Sequence, residues 1–458
     1  MDIPPEQLDL CFSVLQQIAD DPSLLEQHDR LKPLINRIHR KMRRVDRRTR
    51  RGHDRQLQAT TAIVRQQLQP PQKFLTPSLK SALPEEPQGM ADLCQPKPCY
   101  ICKQPYTQLH PFYHSLCPKC AELNYQKRQQ RTDLTGRMAL VTGGRIKIGY
   151  QTGLRLLRDG AQVLLTTRFP RDCAYRYSQE ADFDQWRDRL QIYGLDLRNL
   201  PALETFIQHL LHTTSHLDIL INNAAQTIKR SRSFYQSLLN QERQHPLCPA
   251  AQALLVAANA PPLLETSLSI SEDRVDAAIA NLQSLDADGQ PIDLRAINSW
   301  SLKLDQVSSL ELVEVQLVNA IAPFILNSQL KPLLLRSTFD RRFIINVSAM
   351  EGQFNRSSKT VYHPHTNMAK AALNMMTRTA AADYAQDNIF MNSVDTGWIT
   401  DENPYPKKMH LQHDRGFYTP LDPIDGMARI YDPIVQGIEQ TETPFYGYFL
   451  KDYIPYPW

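Results

Sequence analysis

Two Cys-x-x-Cys pairs have the residue type and spacing of a metal site, and fourteen residues separate them. Their members are Cys99, Cys102, Cys117 and Cys120. Each pair places two thiolates on one side of a tight turn, and four thiolates complete a tetrahedral shell around Zn²⁺. Because protein ligands fill every position, the predicted metal is structural rather than catalytic. His110 and His114, inside the loop, stay open as substitutes for one cysteine.

A glycine-containing turn follows a short apolar run and has the pattern of a phosphate-binding turn. Residues 138–141 predict a strand, and a helix is predicted from about Gly149. Backbone N–H groups at such a turn favour a pyrophosphate. The stretch resembles the T-G-x-x-x-G-x-G motif of the short-chain dehydrogenase/reductase (SDR) family, with Lys147 at the middle glycine. This resemblance assigns to a cofactor Thr142, Gly143, Arg145, Lys147, Ile148 and Gly149.

Further segments follow in the order of that family. Arg168 ends the second predicted strand, 162–166, where the family has an acid for NAD or a base for the NADP 2′-phosphate. Arg168, helped by Arg145, therefore implies NADP(H). The resemblance also assigns to the cofactor Asp196, Leu197, Asn223 and Ala224. It implies an α/β fold with a Rossmann-type doubly wound parallel sheet, preceded by a helical region and a small zinc-binding module.

The family's proton-transfer residues are only partly present. Asn319 matches the asparagine of its N-x-x-A-P-F helix, and Lys370 matches the lysine of its Y-x-x-x-K helix, where it also contacts the cofactor. Thr366 stands at the tyrosine position and Ala349 at the serine position. An aliphatic hydroxyl is too weak an acid to replace tyrosine, and losing general acid–base help lowers a rate by about 10²–10⁴.

Three side chains are candidates for a replacement proton donor. Tyr362 would fold back into the vacated place, His365 would donate from just ahead of the helix, and Thr366 is the residue in place. The ordinary pKa of histidine, near 6.5, suits acid–base work. Downstream, NSVDTGWIT resembles the family's loop over the nicotinamide and assigns to the cofactor Gly397, Ile399 and Thr400.

The elements that must position these residues divide the chain into four parts. The 458 residues, 42% apolar and 22% charged, have an ordinary globular composition. Apolar residues at three- and four-residue steps predict a basic helical region over 1–70, and a Pro-rich linker follows over 71–98. The zinc module covers 99–130 and the SDR-like domain 131–458. An insertion at about 231–306 contains a predicted helix at 272–285.

The net charge of +4 is unevenly distributed, since residues 30–55 hold twelve Lys/Arg against two Asp. We expect a solvated helix face whose Leu/Ile stripe packs on the body or on a second subunit. Binding of nucleic acid ranks behind this interpretation, because no aromatic side chains accompany the basic cluster.

The predicted location and partners follow from what the patterns lack and from the resemblance. No run reaches the roughly 18 apolar residues of a membrane helix, and MDIPPEQLDLCF lacks the basic and apolar parts of a secretory signal. We therefore expect a cytoplasmic protein without a membrane span. The family resemblance implies a homo-oligomer, because the helix that carries Lys370 commonly lies at a subunit interface there.

The resemblance implies an NADP-dependent oxidoreductase that reduces a small-molecule carbonyl, or oxidises the alcohol, with a non-standard proton donor. The alternative is a catalytically silent NADP-binding protein that acts as a sensor or scaffold. One fold serves many substrates, so the sequence does not identify the substrate.

Overall fold

The strands of the described residues form two sheets. The computed structural model describes residues 4–25, 30–68, 91–231, 233–244, 246–256, 285–286, 288–356 and 358–458. An antiparallel hairpin consists of β1 (Ala91–Pro98) and β2 (Pro105–Leu109). The larger sheet contains β3 (Met138–Thr142), β4 (Gln162–Thr167), β5 (Leu190–Gly194), β6 (Ile219–Asn222), β7 (Arg342–Ser348), β8 (Ile389–Asp395), β9 (Phe449–Lys451) and β10 (Ile454–Tyr456).

The larger sheet has the order β10-β9-β8-β7-β6-β3-β4-β5, and only the β9–β10 pair is antiparallel. The chain moves outward from β3 to β5 and then returns to β6 on the other side of β3. The strand order therefore reverses between β3 and β6, and open α/β sheets bind ligands beyond the carboxyl ends of the strands at this point. This sheet confirms the predicted doubly wound α/β fold.

Helices precede the sheet and cover both of its faces. The N-terminal helices are α1 (Pro5–Asp20), α2 (Leu31–Ala59), α3 (Ala62–Leu68) and α4 (Pro118–Gln129). Those of the first half of the sheet are α5 (Lys147–Arg158), α6 (Pro170–Ser178), α7 (Phe183–Trp186), α8 (Leu200–Thr213), α9 (Gln236–Gln244) and α10 (Pro249–Ala253). Those of the second half are α11 (Ser309–Gln316), α12 (Ala322–Gln329), α13 (Lys331–Leu335), α14 (Pro364–Gln386), α15 (Tyr405–Arg415) and α16 (Pro423–Glu439).

The core consists of two apolar layers, one on each face of the sheet. Successive strand residues point to opposite faces, so Val141 packs in one layer and Leu140 in the other. Side chains of α5, α6 and α16 complete the first layer, and those of α8, α12, α13 and α14 complete the second. Burial on both faces explains why these strands are continuous apolar runs.

The cysteine-rich region packs against the C-terminal part of the chain. Tyr113 donates a hydrogen bond to Asp425 Oδ1 at 2.6 Å, and Arg128 pairs with Asp422 at 2.6 Å. All four side chains are largely buried. The linker predicted over 71–98 is wrong for its last eight residues, because 91–98 form β1 and pair with β2. Its first part, 71–90, lies outside the described residues.

The basic region is helical as predicted, but its apolar stripe does not pack on the described body. Ile38, Met42 and Val45 of α2 are exposed. The C-terminal end of α2 contacts the hairpin. There Asp54 accepts a hydrogen bond from the Cys94 N–H, and Lys97 donates to Gln58. The preceding turns of α2 therefore remain in solvent, and packing on a second subunit stays a prediction.

The insertion lies partly outside the described residues, including almost all of its predicted helix at 272–285. Its described part contains a 3-10 turn, Ser233–Tyr235, and then α9 and α10. Helices α9 and α10 pack against α6. The insertion thus begins beside the end of β4.

One continuous helical stretch, Ser309–Gln329, is long and apolar enough to cross a membrane by length and composition. Its side chains Val315, Val318, Ala322 and Leu326 are buried within the protein. Val313, Ile321 and Phe324 of the same stretch are exposed, and 33% of its most apolar window is buried.

Candidate active site

The turn after β3 brings three chain segments into contact. Thr142 Oγ1 accepts the backbone N–H groups of Asn223 and Ala224, each at 3.0 Å. Asn223 Nδ2 in turn donates to the carbonyl oxygens of Thr142 and Gly143. A Cβ at Gly149 would lie 2.2 Å from the Gly143 oxygen, so only glycine allows this approach. The turn and the end of β6 are therefore one rigid unit.

Lys147 occupies the position of the middle glycine in the SDR motif. The backbone conformation at this position explains why the motif usually has glycine there. Its φ of 54° lies in the left-handed region, which costs a non-glycine residue about 1–2 kcal/mol. The ammonium lies 3.9 Å from Glu402 and 4.0 Å from Asp288. Burial lowers the pKa of Lys147, but these carboxylates outweigh burial and raise that pKa.

A cavity of about 380 Å³ opens at the carboxyl edge of the sheet, where the strand order reverses. The predicted cofactor residues that line it are Gly143, Arg145, Lys147, Ile148, Gly149, Arg168, Asp196, Leu197, Asn223, Ala224 and Thr400. Thr142 is not among the lining residues, although its hydroxyl accepts the N–H of Asn223, which is. Eleven of the residues that the resemblance assigns to a cofactor therefore line one cavity, and their role in binding stays a prediction.

Four arginines line the cavity, and three of them have carboxylate partners. The pairs are Arg145–Asp172 at 2.7 Å, Arg198–Asp196 at 2.6 Å and Arg230–Asp293 at 2.5 Å. Arg168 forms no ion pair within the described part of the chain. The helper role predicted for Arg145 is weakened, because its guanidinium is committed to a buried carboxylate.

Arg168 is held by an aromatic side chain of the insertion. Its Nη2 donates to the Tyr235 hydroxyl at 3.0 Å, and its guanidinium lies 4.8 Å from the centre of that ring. Phe169 packs beside Tyr235 with ring centres 5.5 Å apart. Burial alone raises the pKa of Tyr235, but Arg168 and two neighbouring arginines outweigh burial and lower that pKa.

Asn319 and Lys370 are both buried and fixed by backbone groups. Asn319 lies in a π-helical segment, Leu317–Ile321, a distortion found frequently at functional sites. Its amide accepts the Gln226 N–H at 2.7 Å and donates to the Gln226 oxygen at 3.1 Å. Lys370 Nζ donates to the Val347 oxygen at 2.8 Å. Burial lowers the pKa of Lys370 to about 8, although Glu351 opposes this shift.

The three candidate proton donors occupy different environments. Tyr362 is 40% exposed, so the prediction that it folds back into the buried tyrosine position is wrong for this structure. Thr366 is buried, and its hydroxyl has no hydrogen-bond partner among the described residues. His365 is 1% exposed, and its Nε2 lies 3.3 Å from Glu311 Oε1. At the serine position, Ala349 follows Ser348, whose hydroxyl donates to Asn374.

The loop after β8 is divided between the cavity and the cysteine-rich region. Thr400 lines the cavity, but Gly397 and Ile399 do not. Ile399 instead packs in the apolar cluster of the cysteine-rich region, together with Ile148. The Tyr100 hydroxyl accepts the Trp398 N–H at 3.0 Å. The region around the cysteines therefore supports this loop directly.

The four predicted cysteines form one cluster. Their sulfur atoms all lie within 4.8 Å of one another, and Cys102 and Cys117 are 3.7 Å apart. Four thiolates around Zn²⁺ at 2.3 Å lie about 3.8 Å apart, so the arrangement fits this metal. Neither His110 nor His114 belongs to the cluster.

Two family models match the segments that build this site. Short chain dehydrogenase matches residues 137–243, and enoyl-(acyl carrier protein) reductase matches residues 296–412. Uncharacterized protein R665 of Acanthamoeba polyphaga mimivirus is 35% identical over 354 residues, which are 74% of this chain and 71% of that protein. The chain belongs to the short-chain dehydrogenase/reductase family.

Two shorter matches and one solved structure are also similar to parts of this chain. Human dehydrogenase/reductase SDR family member 13 is 34% identical over 112 residues, 23% of this chain and 28% of that protein. The Drosophila melanogaster WW domain-containing oxidoreductase is 33% identical over 99 residues, 20% of this chain and 23% of that protein. The structure of the Pseudomonas aeruginosa RhlG/NADP active-site complex is 19% identical, with a TM-score of 0.44. The match covers 70% of this chain and 95% of that chain. Each of the two shorter matches covers less than a third of the relative.

This SDR chain also contains site residues that sequence reasoning missed. Tyr235 and Glu402 line the cavity, Glu311 faces His365, and Tyr100 holds the loop after β8. Tyr235 belongs to the insertion and Tyr100 to the cysteine-rich region, so no SDR motif points to either residue. Tyr100 does lie inside a Cys-x-x-Cys pair, which is the one signal that could have directed attention to it.

Proposed function

We propose that this SDR protein is an NADP(H)-dependent oxidoreductase that interconverts a small-molecule carbonyl and its alcohol. The observation that carries the coenzyme proposal is Arg168, the cavity arginine without a carboxylate partner in the described residues. Its guanidinium has five N–H donors, and the Tyr235 hydroxyl uses one of them. The remaining donors suit a phosphate beside the ribose at the end of β4.

The rest of the cavity fits the same coenzyme. The turn at Gly143 and Gly149 permits close backbone approach at the amino end of α5, where a pyrophosphate is favoured. Asp196 and Leu197 border the adenine end, and Asn223 and Ala224 border the reversal of strand order. When bound, NADP(H) supplies or accepts the hydride.

We assign the proton donor to His365, with Glu311 as the group that orients it. The Glu311 carboxylate lies 3.3 Å from Nε2, close enough to hold the buried ring in one orientation. Thr366, at the tyrosine position, retains a buried hydroxyl that positions a substrate oxygen but is too weak an acid to protonate it. Lys370, with its lowered pKa, keeps the ribose-binding role that the family resemblance implies.

We propose that Cys99, Cys102, Cys117 and Cys120 hold a structural Zn²⁺. The sulfur separations fit tetrahedral coordination, and Tyr100 lies between the first two ligands. A metal that fixes this turn also fixes the hydroxyl that accepts the Trp398 N–H. Metal binding would then support the loop beside the nicotinamide without taking part in the reaction.

Coenzyme titration and a carbonyl panel test this function. Purified protein should quench or shift NADPH fluorescence saturably, and it should oxidise NADPH with at least one aldehyde or ketone. His365→Ala should abolish turnover while NADPH binding survives, and Tyr362→Phe is the matched control that should retain activity. Binding without any turnover across the panel would instead favour the sensor or scaffold alternative. A cytoplasmic location and a homo-oligomeric state stay proposals.

A further inference from the structure

A second cluster of metal-ligating side chains lies between α2 and β1, outside the cavity and outside the four-cysteine cluster. It consists of His53 and Asp54 from the helix and Cys94 from the strand. One ligand atom from each residue lies within 4.8 Å of the other two. We propose that these three residues bind a divalent metal ion of the zinc type, with the fourth position open to water.

The separations of the ligand atoms carry the proposal. His53 Nδ1 lies 3.4 Å from Cys94 Sγ and 3.8 Å from Asp54 Oδ1. Tetrahedral Zn²⁺ with bonds of about 2.0–2.3 Å holds its ligand atoms about 3.3–3.6 Å apart. Two of the three separations therefore lie within about half an ångström of the tetrahedral values, and the third, between Asp54 and Cys94, is below 4.8 Å.

The scaffold fixes these ligands independently of a metal. His53 and Asp54 are adjacent on the helix, and adjacent helix residues do not normally face each other. Here the Cys94 N–H donates to Asp54 Oδ1 at 2.7 Å, and this hydrogen bond holds the carboxylate toward the strand. Asp54 is buried. One helical turn after Asp54, the Gln58 side chain accepts a hydrogen bond from Lys97 of the strand at 3.2 Å. The strand is thus anchored on the helix at the cluster itself and again one turn beyond it.

The ligand set defines the chemistry of the site. Thiolate, imidazole and carboxylate together suit Zn²⁺ or another borderline transition ion, whereas Mg²⁺ and Ca²⁺ prefer oxygen ligands alone. His53 and Cys94 are exposed, so a water molecule can reach the fourth position. The metal would join the basic helix to the hairpin that adjoins the four-cysteine cluster.

Metal counting on the full-length protein tests the proposal. After dialysis against micromolar free Zn²⁺, elemental analysis should give two equivalents per chain for the unchanged protein. Cys94→Ser and His53→Ala should each lower the count by one. The matched controls are Cys248→Ser, another exposed cysteine, and His39→Ala, another exposed histidine of α2, and both should leave the count unchanged.

Replacement of zinc by Co²⁺ gives an independent readout. Cys94→Ser should remove part of the thiolate-to-cobalt absorption and leave the tetrathiolate spectrum intact. An unchanged metal count in both Cys94→Ser and His53→Ala overturns the proposal and leaves a plain thiol–imidazole contact. Because His53 is an exposed helix residue, its variant keeps the test decisive if Cys94→Ser fails to fold.

Discussion

Replacing Arg168 by aspartate tests how the cavity selects its coenzyme. The guanidinium is half-buried and bonded only to a phenol among the described residues, so a bound 2′-phosphate would not have to break an ion pair. A hydrogen bond to a charged group contributes about 1.5–3 kcal/mol, which corresponds to roughly 10- to 150-fold in affinity. We expect Arg168→Asp to weaken the binding of NADPH by at least the lower end of this range. The affinity for NADH should stay within about threefold of that of the unchanged protein.

Fluorescence titration of both coenzymes at two salt concentrations measures this effect. The loss for NADPH should be larger at low salt, because screening weakens the attraction between the phosphate and the guanidinium. Arg187→Asp, at an exposed arginine of a surface ion pair, is the control and should change neither affinity. Equal losses for NADPH and NADH, or the same loss in Arg187→Asp, would refute the assignment of Arg168 to the phosphate.

Arg145 offers a contrasting variant in the same cavity. Its partner Asp172 is buried and also binds Arg176, and the pKa of Asp172 is lowered because these two arginines outweigh its burial. Removing one partner of a buried ion pair costs about 3–5 kcal/mol. Arg145→Ala should therefore lower the midpoint of thermal unfolding, whereas Arg168→Asp should lower NADPH affinity with little change in that midpoint.

Three further predictions concern other parts of the molecule. Cys117→Ser should remove one equivalent of zinc, measured by elemental analysis, and an unchanged zinc content would contradict the tetrathiolate site. Tyr100→Phe should weaken coenzyme binding several-fold by titration while the zinc content stays constant, because the loop loses the hydroxyl that accepts its N–H. The pKa of Lys370 falls from an ordinary 10.5 to about 8 on folding, so between these pH values the unfolded chain binds more protons than the folded chain. The free energy of unfolding should consequently rise with pH across this window. Relative to Lys370→Met, the total rise should be about 3 kcal/mol. Equal pH profiles of the two proteins in denaturant unfolding would contradict a buried lysine.

The sheet and most of the residues that line the cavity were predictable because they depend on local patterns. The run at 138–141 and the glycines that follow it fix a strand, a turn and a helix within a few residues, and β3 spans Met138–Thr142. The resemblance then placed Arg168, Asp196 and Asn223 at strand ends, which lie at one edge of a parallel sheet. All three line the same cavity.

The parts that escaped prediction depend on contacts between distant segments. Tyr235 lies 67 positions from Arg168, and Tyr100 lies 298 positions from Trp398. Residues 91–98 contain two prolines and were predicted as linker, yet pairing with β2 makes them a strand. Tyr362 is adjacent to a residue in the left-handed conformation, His363, with φ of 43°. No periodicity in the sequence encodes these tertiary contacts.

The contacts between the cysteine-rich region and the far end of the chain have a consequence for synthesis on the ribosome. Tyr113 and Asp425 are 312 positions apart, and Arg128 and Asp422 are 294 positions apart. At about 5–20 residues per second, roughly 15–60 s pass between the emergence of the two partners. During that interval the face of the cysteine-rich region that will receive α16 is uncovered on the nascent chain, and its buried polar partners, Tyr113 and Arg128, are hydrated.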